Sequence, residues 1–378
     1  MMILPGATLG MLGGGQLGRM FTVAARNMGY EVVVLDPDPH SPAGKLATEH
    51  LCAAYDDAAA LTRLEQTCAA ITTEFENIPA AILETLAANL PVRPGARAVT
   101  ITQDRSHEKT FLRDNGFPTA PFAIIRADAD LTPALTTIPA PAILKVSRFG
   151  YDGKGQYSVA GEPDLKNGWA ALGGNECVLE QRVPLDAEIS VVLARSANGE
   201  TVTFPVGENS HVNGILDVSI VPARVDAKLC QQAVDMAIGI ADALEYVGVM
   251  AVEFFVSGGK LLVNEIAPRP HNSGHYTLDA TATSQFEQQV RAVCGLPLGD
   301  TRLLSPVVMV NMLGDLWHGG RPPKWEKLLS HPNVKLHLYG KHEARPGRKM
   351  GHFNVLADKV ESALDLARSI QQQLSTPD

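Results

Sequence analysis

Cysteine is scarce in this 378-residue chain: Cys52, Cys68, Cys177, Cys230 and Cys294 are scattered, odd in number and form no C-x-x-C pair. That argues against a disulfide framework and against a thiolate zinc site, and leaves reduced thiols in a cytosol as the expectation. Long apolar runs are missing too. None nears the roughly 18 residues that span a bilayer, and no basic stretch precedes an apolar core at the N-terminus, so no membrane association and a cytoplasmic location are expected. Positive charge is in deficit, with 32 Lys and Arg against 41 Asp and Glu for a net charge of -9, and no basic stripe offsets it. Nucleic acid is therefore not an expected partner, while a local basic pocket for a small anion stays open. Low-complexity tracts and internal repeats are absent. The remaining composition, 45% hydrophobic and 19% charged, suits a globular chain long enough for two or three domains.

The first hundred residues alternate strand and helix. Ala7–Leu12 reads as a strand, Gly13–Gly18 as a tight glycine turn, Leu17–Met28 as a helix stopped by Gly29, and Glu31–Leu35 as a buried β-branched strand ending at Asp36. Ala69–Thr72 predicts another strand, Pro91–Pro94 a short edge, and Thr102–Gly116 a helix. A second unit over 120–183 holds strands at Ala142–Val146 and Cys177–Glu180 around a glycine loop at Gly150–Gly155. Further on, Ile189–Ala194, Val202–Val206 and Val249–Val256 predict strands, and Ala227–Ala243 a helix. Gly258-Gly259 predicts a hairpin turn into Lys260–Glu265, and the tail closes with an amphipathic helix near Asp358–Leu374.

Three sets of residues carry chemistry. Gly13-x-Gly15-x-x-Gly18, with Asp36 at the spacing of a ribose-binding acid, fits a dinucleotide fingerprint, but the physics asks only for an anion at glycine amides. Dinucleotide, another phosphorylated ligand and plain tight packing all satisfy it. Lys145 ends an apolar strand beside Gly150-Tyr151-Asp152-Gly153-Lys154-Gly155-Gln156. Ammonium plus close-approaching amides make a phosphate clamp, and Gln156 in place of Lys-Ser/Thr excludes a P-loop; a solvated hairpin is the plain alternative. Glu253 and Glu265 sit in apolar strands joined by Gly258-Gly259, so pairing would oppose two carboxylates. Buried like charges call for neutralisation, for example by magnesium with nucleotide phosphates, and Asn264 offers another oxygen; two solvent-facing side chains are the alternative.

The run Asn264-Glu265-Ile266-Ala267-Pro268-Arg269-Pro270-His271-Asn272-Ser273-Gly274-His275, with Val252-Glu253-Phe254, resembles the magnesium segment of ATP-grasp ligases. More narrowly, the chain resembles the 5-(carboxyamino)imidazole ribonucleotide synthetases. The likeness extends to Gly13–Gly18, Glu74–Pro79, Gln103-Asp104-Arg105, Gly150–Gln156, His211–Leu216, Tyr339–Lys341 and Arg345–His352, nearly the whole chain. It implies an α/β (α+β) three-domain ATP-grasp fold: an N-terminal Rossmann-like domain over 1–102 that binds no dinucleotide, a linker helix and lid over 103–187, and a C-terminal ATP-grasp domain with a substrate-binding tail over 188–378. The implied reaction uses ATP and bicarbonate to carboxylate the amine of 5-aminoimidazole ribonucleotide in purine synthesis, through carboxyphosphate, with one or two magnesium ions and in a homodimer.

The same resemblance assigns residues. Arg105, Lys145, Gly150, Tyr151, Asp152, Gly153, Lys154, Gly155, Gln156, Glu188, His211, Asn264 and Glu265 would contact ATP, and Glu180-Gln181-Arg182-Val183 would be the hinge that reads adenine. Glu253 and Glu265 would hold the metal. Arg269, His271 and Asn272 would orient bicarbonate or carboxyphosphate, with Asp152 or the released phosphate as base. Gln16, Leu17, the Gly13–Gly18 amides, Glu76, Tyr151, Lys341, Arg345 and Arg348 would take the ribonucleotide. By charge alone, Lys341, Arg345 and Arg348 also fit a solvated basic loop. Competing functions are another ATP-grasp ligase such as a formate-dependent glycinamide ribonucleotide transformylase or a biotin carboxylase, a dinucleotide-dependent oxidoreductase, and a non-catalytic nucleotide-binding module. Glu74–Pro79 and Lys341–His352 favour the aminoimidazole acceptor.

Overall fold

The computed structural model describes residues 2–150, 153–317 and 320–375. Near the N-terminus, three mostly buried strands and a half-buried edge strand, Glu49–Leu51, form a parallel sheet in the order Glu49–Leu51, Glu31–Leu35, Thr8–Leu12, Ala70–Thr73. The glycine turn leads into helix Gln16–Asn27. Pro91–Pro94 does not form the expected strand; only Val92 bridges to Ile71. The helix expected from Thr102 begins at Arg105 and runs to Asp114, and a separate helix that was not expected, Ala96–Thr102, precedes it. Asp104 breaks them apart by capping the second, its carboxylate accepting the Ser106 N–H at 3.0 Å.

A small antiparallel sheet follows, in the order Phe122–Ile125, Cys177–Gln181, Ala142–Val146, Gln156–Val159. Helices Leu131–Thr137 and Glu162–Ala171 cover one face around Ile125, Leu144, Leu165 and Leu179. The glycine loop runs between Ala142–Val146 and Gln156–Val159.

The rest of the chain builds one nine-stranded antiparallel sheet. Its order is Lys260–Ala267, Gly248–Ser257, Ala187–Arg195, Gly207–Val212, Ile215–Val221, Val307–Leu313, Lys349–Leu356, Val334–Leu338, with Thr201–Thr203 paired to Ala187–Arg195. The tail is thus continuous with the central strands, because Ile215–Val221 pairs with Val307–Leu313. Helix Ala227–Ala243 packs small and branched residues, Ala233, Ala237 and Ile240, on the apolar face, and Val360–Ser375 does the same at the tail end with Ala363, Ala367 and Ile370. Helix Gln285–Cys294 joins the N-terminal parallel sheet to the nine-stranded sheet. Its Val290 and Val293 pack with Leu9, Met11 and Phe21, while the buried Gln289 amide donates to Thr72 Oγ1 at 2.8 Å and accepts from the Val249 N–H. No helix among the described residues is long and apolar enough to cross a membrane.

Candidate active site

Gly258 and Gly259 both adopt positive φ, +55° and +70°, the geometry of a two-residue hairpin turn. That turn sets the register of the two long strands so that Glu253 lies directly opposite Glu265. One step on, Phe254 pairs with Val263, which leaves Asn264 as an extra residue in a bulge. A bulge relaxes the strict alternation of faces, and Asn264 Oδ1 is buried with no hydrogen-bond partner. Burial, then the Glu265 charge, pushes the Glu253 carboxyl up to about 7. Burial also works against Glu265, but Arg105, with Nη2 at 2.9 Å, and Lys145 hold it down at about 2.

Glu180 lies almost wholly inside, on the strand Cys177–Gln181. Its carboxylate meets Lys145 at 3.0 Å, Lys109 at 3.6 Å and Arg105 at 3.7 Å. Against its own burial, these cations keep it ionised, at about 2. Glu180, expected to open the adenine hinge, thus gathers three cations around its side chain. Lys109 and Glu108, which the sequence reading passed over, complete the arrangement. The fully buried Lys109 ammonium donates to the Asn264 carbonyl at 2.8 Å, and Glu108 accepts the Ile266 N–H. Helix Arg105–Asp114 thus grips the hairpin on both sides of Glu265. The available signal was charge at Glu108 and Lys109 on the same i, i+3, i+4, i+7 stripe as Arg105 and Leu112, where core residues belong.

On the open side, His211 Nδ1 lies 2.9 Å from Glu188. Burial opposes its protonation, yet Glu188, Glu253 and Glu265 together raise its pKa. Arg269 is forked onto Glu76, with Nε at 2.6 Å and Nη2 at 3.3 Å. The two were expected to face different ligands, anion and ribose; in this structure they hold each other. His271 Nε2 stands 3.2 Å from Glu253 Oε1, and burial, then Arg269, lowers the imidazole pKa to about 3. Asn272, beside it, is buried with neither amide atom hydrogen-bonded.

The glycine turn differs from the expectation of a ligand-binding loop. Its amides do not await a phosphate. Gly15 and Gly18 donate to the Glu74 carboxylate at 2.5 and 2.6 Å, and Gly14 donates to Asp36 at 2.6 Å. Asp36 also accepts from Tyr55 and the Asp38 N–H, so it is a structural acid. An internal carboxylate fills the seat a pyrophosphate would take. Leu17 is corrected as well: its side chain packs in a core group with Met20, Phe286 and Tyr339, which leaves only its backbone for a ligand. Gln16 opens the helix half-buried. The tail loop does come to this domain. Lys45 Nζ donates to the Gly340 carbonyl at 3.2 Å, His40 stacks on His342, and Lys341 lies close enough to Glu74 to favour its ionised form, although burial dominates and raises that pKa. Lys341 Nζ donates to the Lys349 carbonyl, Arg348 donates to the Glu343 carbonyl at 2.8 Å, and the exposed Arg345 pairs with Glu343.

In the lid, Gln156 pairs with Lys145 across the hairpin, and Gly153 and Gly155 take positive φ. A side chain at Gly153 would press on the Asn213 carbonyl at 3.0 Å, so the loop touches the turn after His211. Gly150 and Lys154 are exposed. At the hinge, Gln181 and Arg182 tie their N–H groups to the Pro121 and Pro141 carbonyls, and Val183 follows half-buried. The expectations for Tyr151 and Asp152 lie outside the described residues.

Comparisons agree with this geometry. Residues 6–103 match the ribonucleotide synthetase preATP-grasp domain, 110–286 the ATP-grasp domain, and 307–366 the phosphoribosylaminoimidazole carboxylase C-terminal domain. An N5-carboxyaminoimidazole ribonucleotide synthase of Bacillus subtilis is 47% identical over 94% of this chain and 92% of its own, and one of Brucella melitensis is 45% identical over 92% and 96%. The crystal structure of an ADP complex of N5-carboxyaminoimidazole ribonucleotide synthetase superposes with TM-score 0.93 at 46% identity, covering 98% of this chain and 97% of that one. That of the Aspergillus clavatus synthase with ADP and 5-aminoimidazole ribonucleotide superposes with TM-score 0.89 at 30% identity, covering 97% and 98%. With its opposed carboxylates, its buried cations and this likeness along nearly its full length, the chain belongs to the N5-carboxyaminoimidazole ribonucleotide synthase family of ATP-grasp enzymes.

Proposed function

We propose that this chain is an ATP-dependent carbon–nitrogen ligase that carboxylates the exocyclic amine of 5-aminoimidazole ribonucleotide with bicarbonate, giving N5-carboxyaminoimidazole ribonucleotide, ADP and phosphate. The observation that carries the reading is the bulged Asn264–Glu265 strand opposite Glu253, flanked by Arg105 and Lys145 on one side and Arg269 on the other. Among the described residues no three His, Cys, Asp or Glu side chains form a metal cage of their own. Two carboxylates and the unpartnered Asn264 Oδ1 instead fit a magnesium ion shared with nucleotide phosphates, one or two ions in all. Such an ion would neutralise charge on the transferring phosphoryl group.

The chain's own residues do the rest. Lys145 and Arg105, gathered by Glu180, are the cations for the ATP phosphates, and the glycine loop closes over them. Glu188 and His211 take the ribose side, and Glu180–Val183 the adenine. A bicarbonate oxygen attacks the γ-phosphorus, ADP leaves, and carboxyphosphate results. Arg269, oriented by Glu76, holds its carboxylate oxygens with His271 and Asn272, and exclusion of water protects it from hydrolysis. The acceptor nitrogen then bonds to the carboxyl carbon as the phosphate C–O bond breaks. The amine proton goes to the departing phosphate or to Asp152. Lys341, Arg345 and Arg348 grip the ribonucleotide phosphate, and Glu76 offers its remaining lone pairs to the ribose. The boundaries 1–102, 103–187 and 188–378, a homodimer and a cytoplasmic location complete the proposal.

The test is ADP release with ATP and magnesium, with and without the aminoimidazole ribonucleotide and bicarbonate. Full turnover only with both supports the ligase. Turnover that ignores the ribonucleotide overturns it.

A further inference from the structure

A line of short polar side chains on the large sheet ends on His271. Ser219 Oγ donates to Asn209 Oδ1 at 2.7 Å, Asn209 Nδ2 donates to Ser190 Oγ at 2.9 Å, and Ser190 Oγ meets Ser273 Oγ at 2.8 Å. Ser273 Oγ lies 2.8 Å from His271 Nδ1. Every one of these residues is buried, at 8% exposure or less. Strand register keeps the line on one face: Ser219 pairs with Asn209, and Ser190 with Glu253.

The direction of the bonds follows from counting protons. A hydroxyl has one. Ser190 Oγ accepts from the Asn209 amide, so its proton goes to Ser273, and the Ser273 proton goes on to His271 Nδ1. A second donor settles the same point independently. The Ser273 backbone N–H also approaches Nδ1, at 3.3 Å, and an amide N–H only donates. Nδ1 therefore accepts twice. A neutral imidazole then carries its single proton on Nε2, and Nε2 faces the acceptor Glu253 Oε1 at 3.2 Å.

We propose that Ser273, backed by Ser190, is a positioning residue that locks His271 as the Nε2–H tautomer. His271 is thereby a fixed hydrogen-bond donor to Glu253 and to the anionic reactant beside it, and not a general base. Its only lone pair points away from the cleft into the serine line. The donor role toward the reactant rests on the ligase reading above; the tautomer does not. A donor at this position steadies the Glu253 oxygen that faces it, leaving the other oxygen for the metal side, and supplies an N–H to a carboxylate-like oxygen of bicarbonate or carboxyphosphate. A base there would instead need an unprotonated Nε2, which the two donors at Nδ1 disfavour.

Ring nitrogen spectra of the full chain, labelled with 15N-histidine, test the tautomer directly. The His271 signals, identified by their loss in His271→Gln, should show Nε2 protonated and Nδ1 bare. Ser273→Ala should shift population toward the other tautomer, and Ser273→Thr, which keeps the hydroxyl, should restore it. A native His271 protonated on Nδ1 overturns the proposal. So does a Ser273→Ala spectrum identical to the native one. Turnover tests the role. His271→Gln keeps an N–H near Nε2 and should retain kcat within roughly tenfold, whereas His271→Leu should lose at least roughly tenfold more. Ser273→Ala should lower kcat by a few-fold with the KM for ATP unchanged. Equal inactivity of the Gln and Leu variants would make His271 a base and defeat the donor role. A chain that turned over no ribonucleotide at all would defeat the ligase reading, while the spectra would still decide the tautomer.

Discussion

Neutralising Glu253 should make the metal-free protein more stable while stopping its chemistry. Glu253 has only 12% of its side chain exposed and stands directly across from Glu265. Burial and that neighbour move its pKa from 4.5 to about 7. A raised acid pKa means that the folded state holds the proton more tightly than the unfolded chain does. Its contribution is therefore favourable below about pH 4.5 and is lost as pH rises through 7. Above that, the ionised carboxylate costs the fold up to about 3 kcal/mol. Glu253→Gln removes this cost and keeps the shape. Urea unfolding of the metal-free protein should show the variant more stable by about 2–3 kcal/mol near pH 8, with the advantage shrinking to nothing near pH 4.5. Magnesium with nucleotide should narrow the gap by stabilising the native protein alone. Turnover of the variant should fall by at least about a hundredfold. A stability difference that ignores pH, or a loss of stability at pH 8 equal to that at pH 4.5, would refute the opposed-carboxylate reasoning.

Three further outcomes can be checked. Lys109→Met strands the Asn264 carbonyl and thins the cation group around Glu180, so urea titration should show a loss of about 2–4 kcal/mol, and the KM for ATP should rise. Glu74→Ala leaves the Gly15 and Gly18 amides without their carboxylate; the fold should weaken by roughly 1–3 kcal/mol, and inorganic phosphate, which should not protect the native turn, should partly restore the variant's melting temperature. Arg348→Ala should raise the KM for the aminoimidazole ribonucleotide by roughly tenfold or more and leave that for ATP unchanged, and an effect on ATP instead would remove Arg348 from the phosphate grip.

Much of the site was legible because it is local. Glu253 and Glu265 face each other through a two-glycine turn only a few residues away, and a turn of that kind imposes its register on both strands. The strands Glu31–Leu35 and Ala142–Val146 and the helix Ala227–Ala243 formed where the apolar pattern put them. The helix Ala96–Thr102 was missed, and the Asp104 side-chain cap starts the next helix at Arg105, three residues later than expected. The Pro91–Pro94 edge failed because the neighbouring strand offers it a single bridge at Val92.

Partnership among buried charges was not legible. The glycine turn dictates that some anion sits at its amides, since exposed donors at a helix start demand one. Only the fold decides that the anion is Glu74, brought from 59 residues away from Gly15 by the parallel pairing of Thr8–Leu12 with Ala70–Thr73. The same holds for Glu180 and its three cations, which come from a helix and two strands. It holds for Glu76 and Arg269, 193 residues apart, and for the serine line to His271, assembled from the register of three strands and one 3-10 turn. Sequence by itself determined the turns, the strand and helix periods and the kinds of groups available, because those follow from each residue's own backbone and its near neighbours. Which donor meets which acceptor was decided by the tertiary structure, because a buried charge accepts whatever partner the long-range packing brings within about 3 Å and is too costly to leave without one.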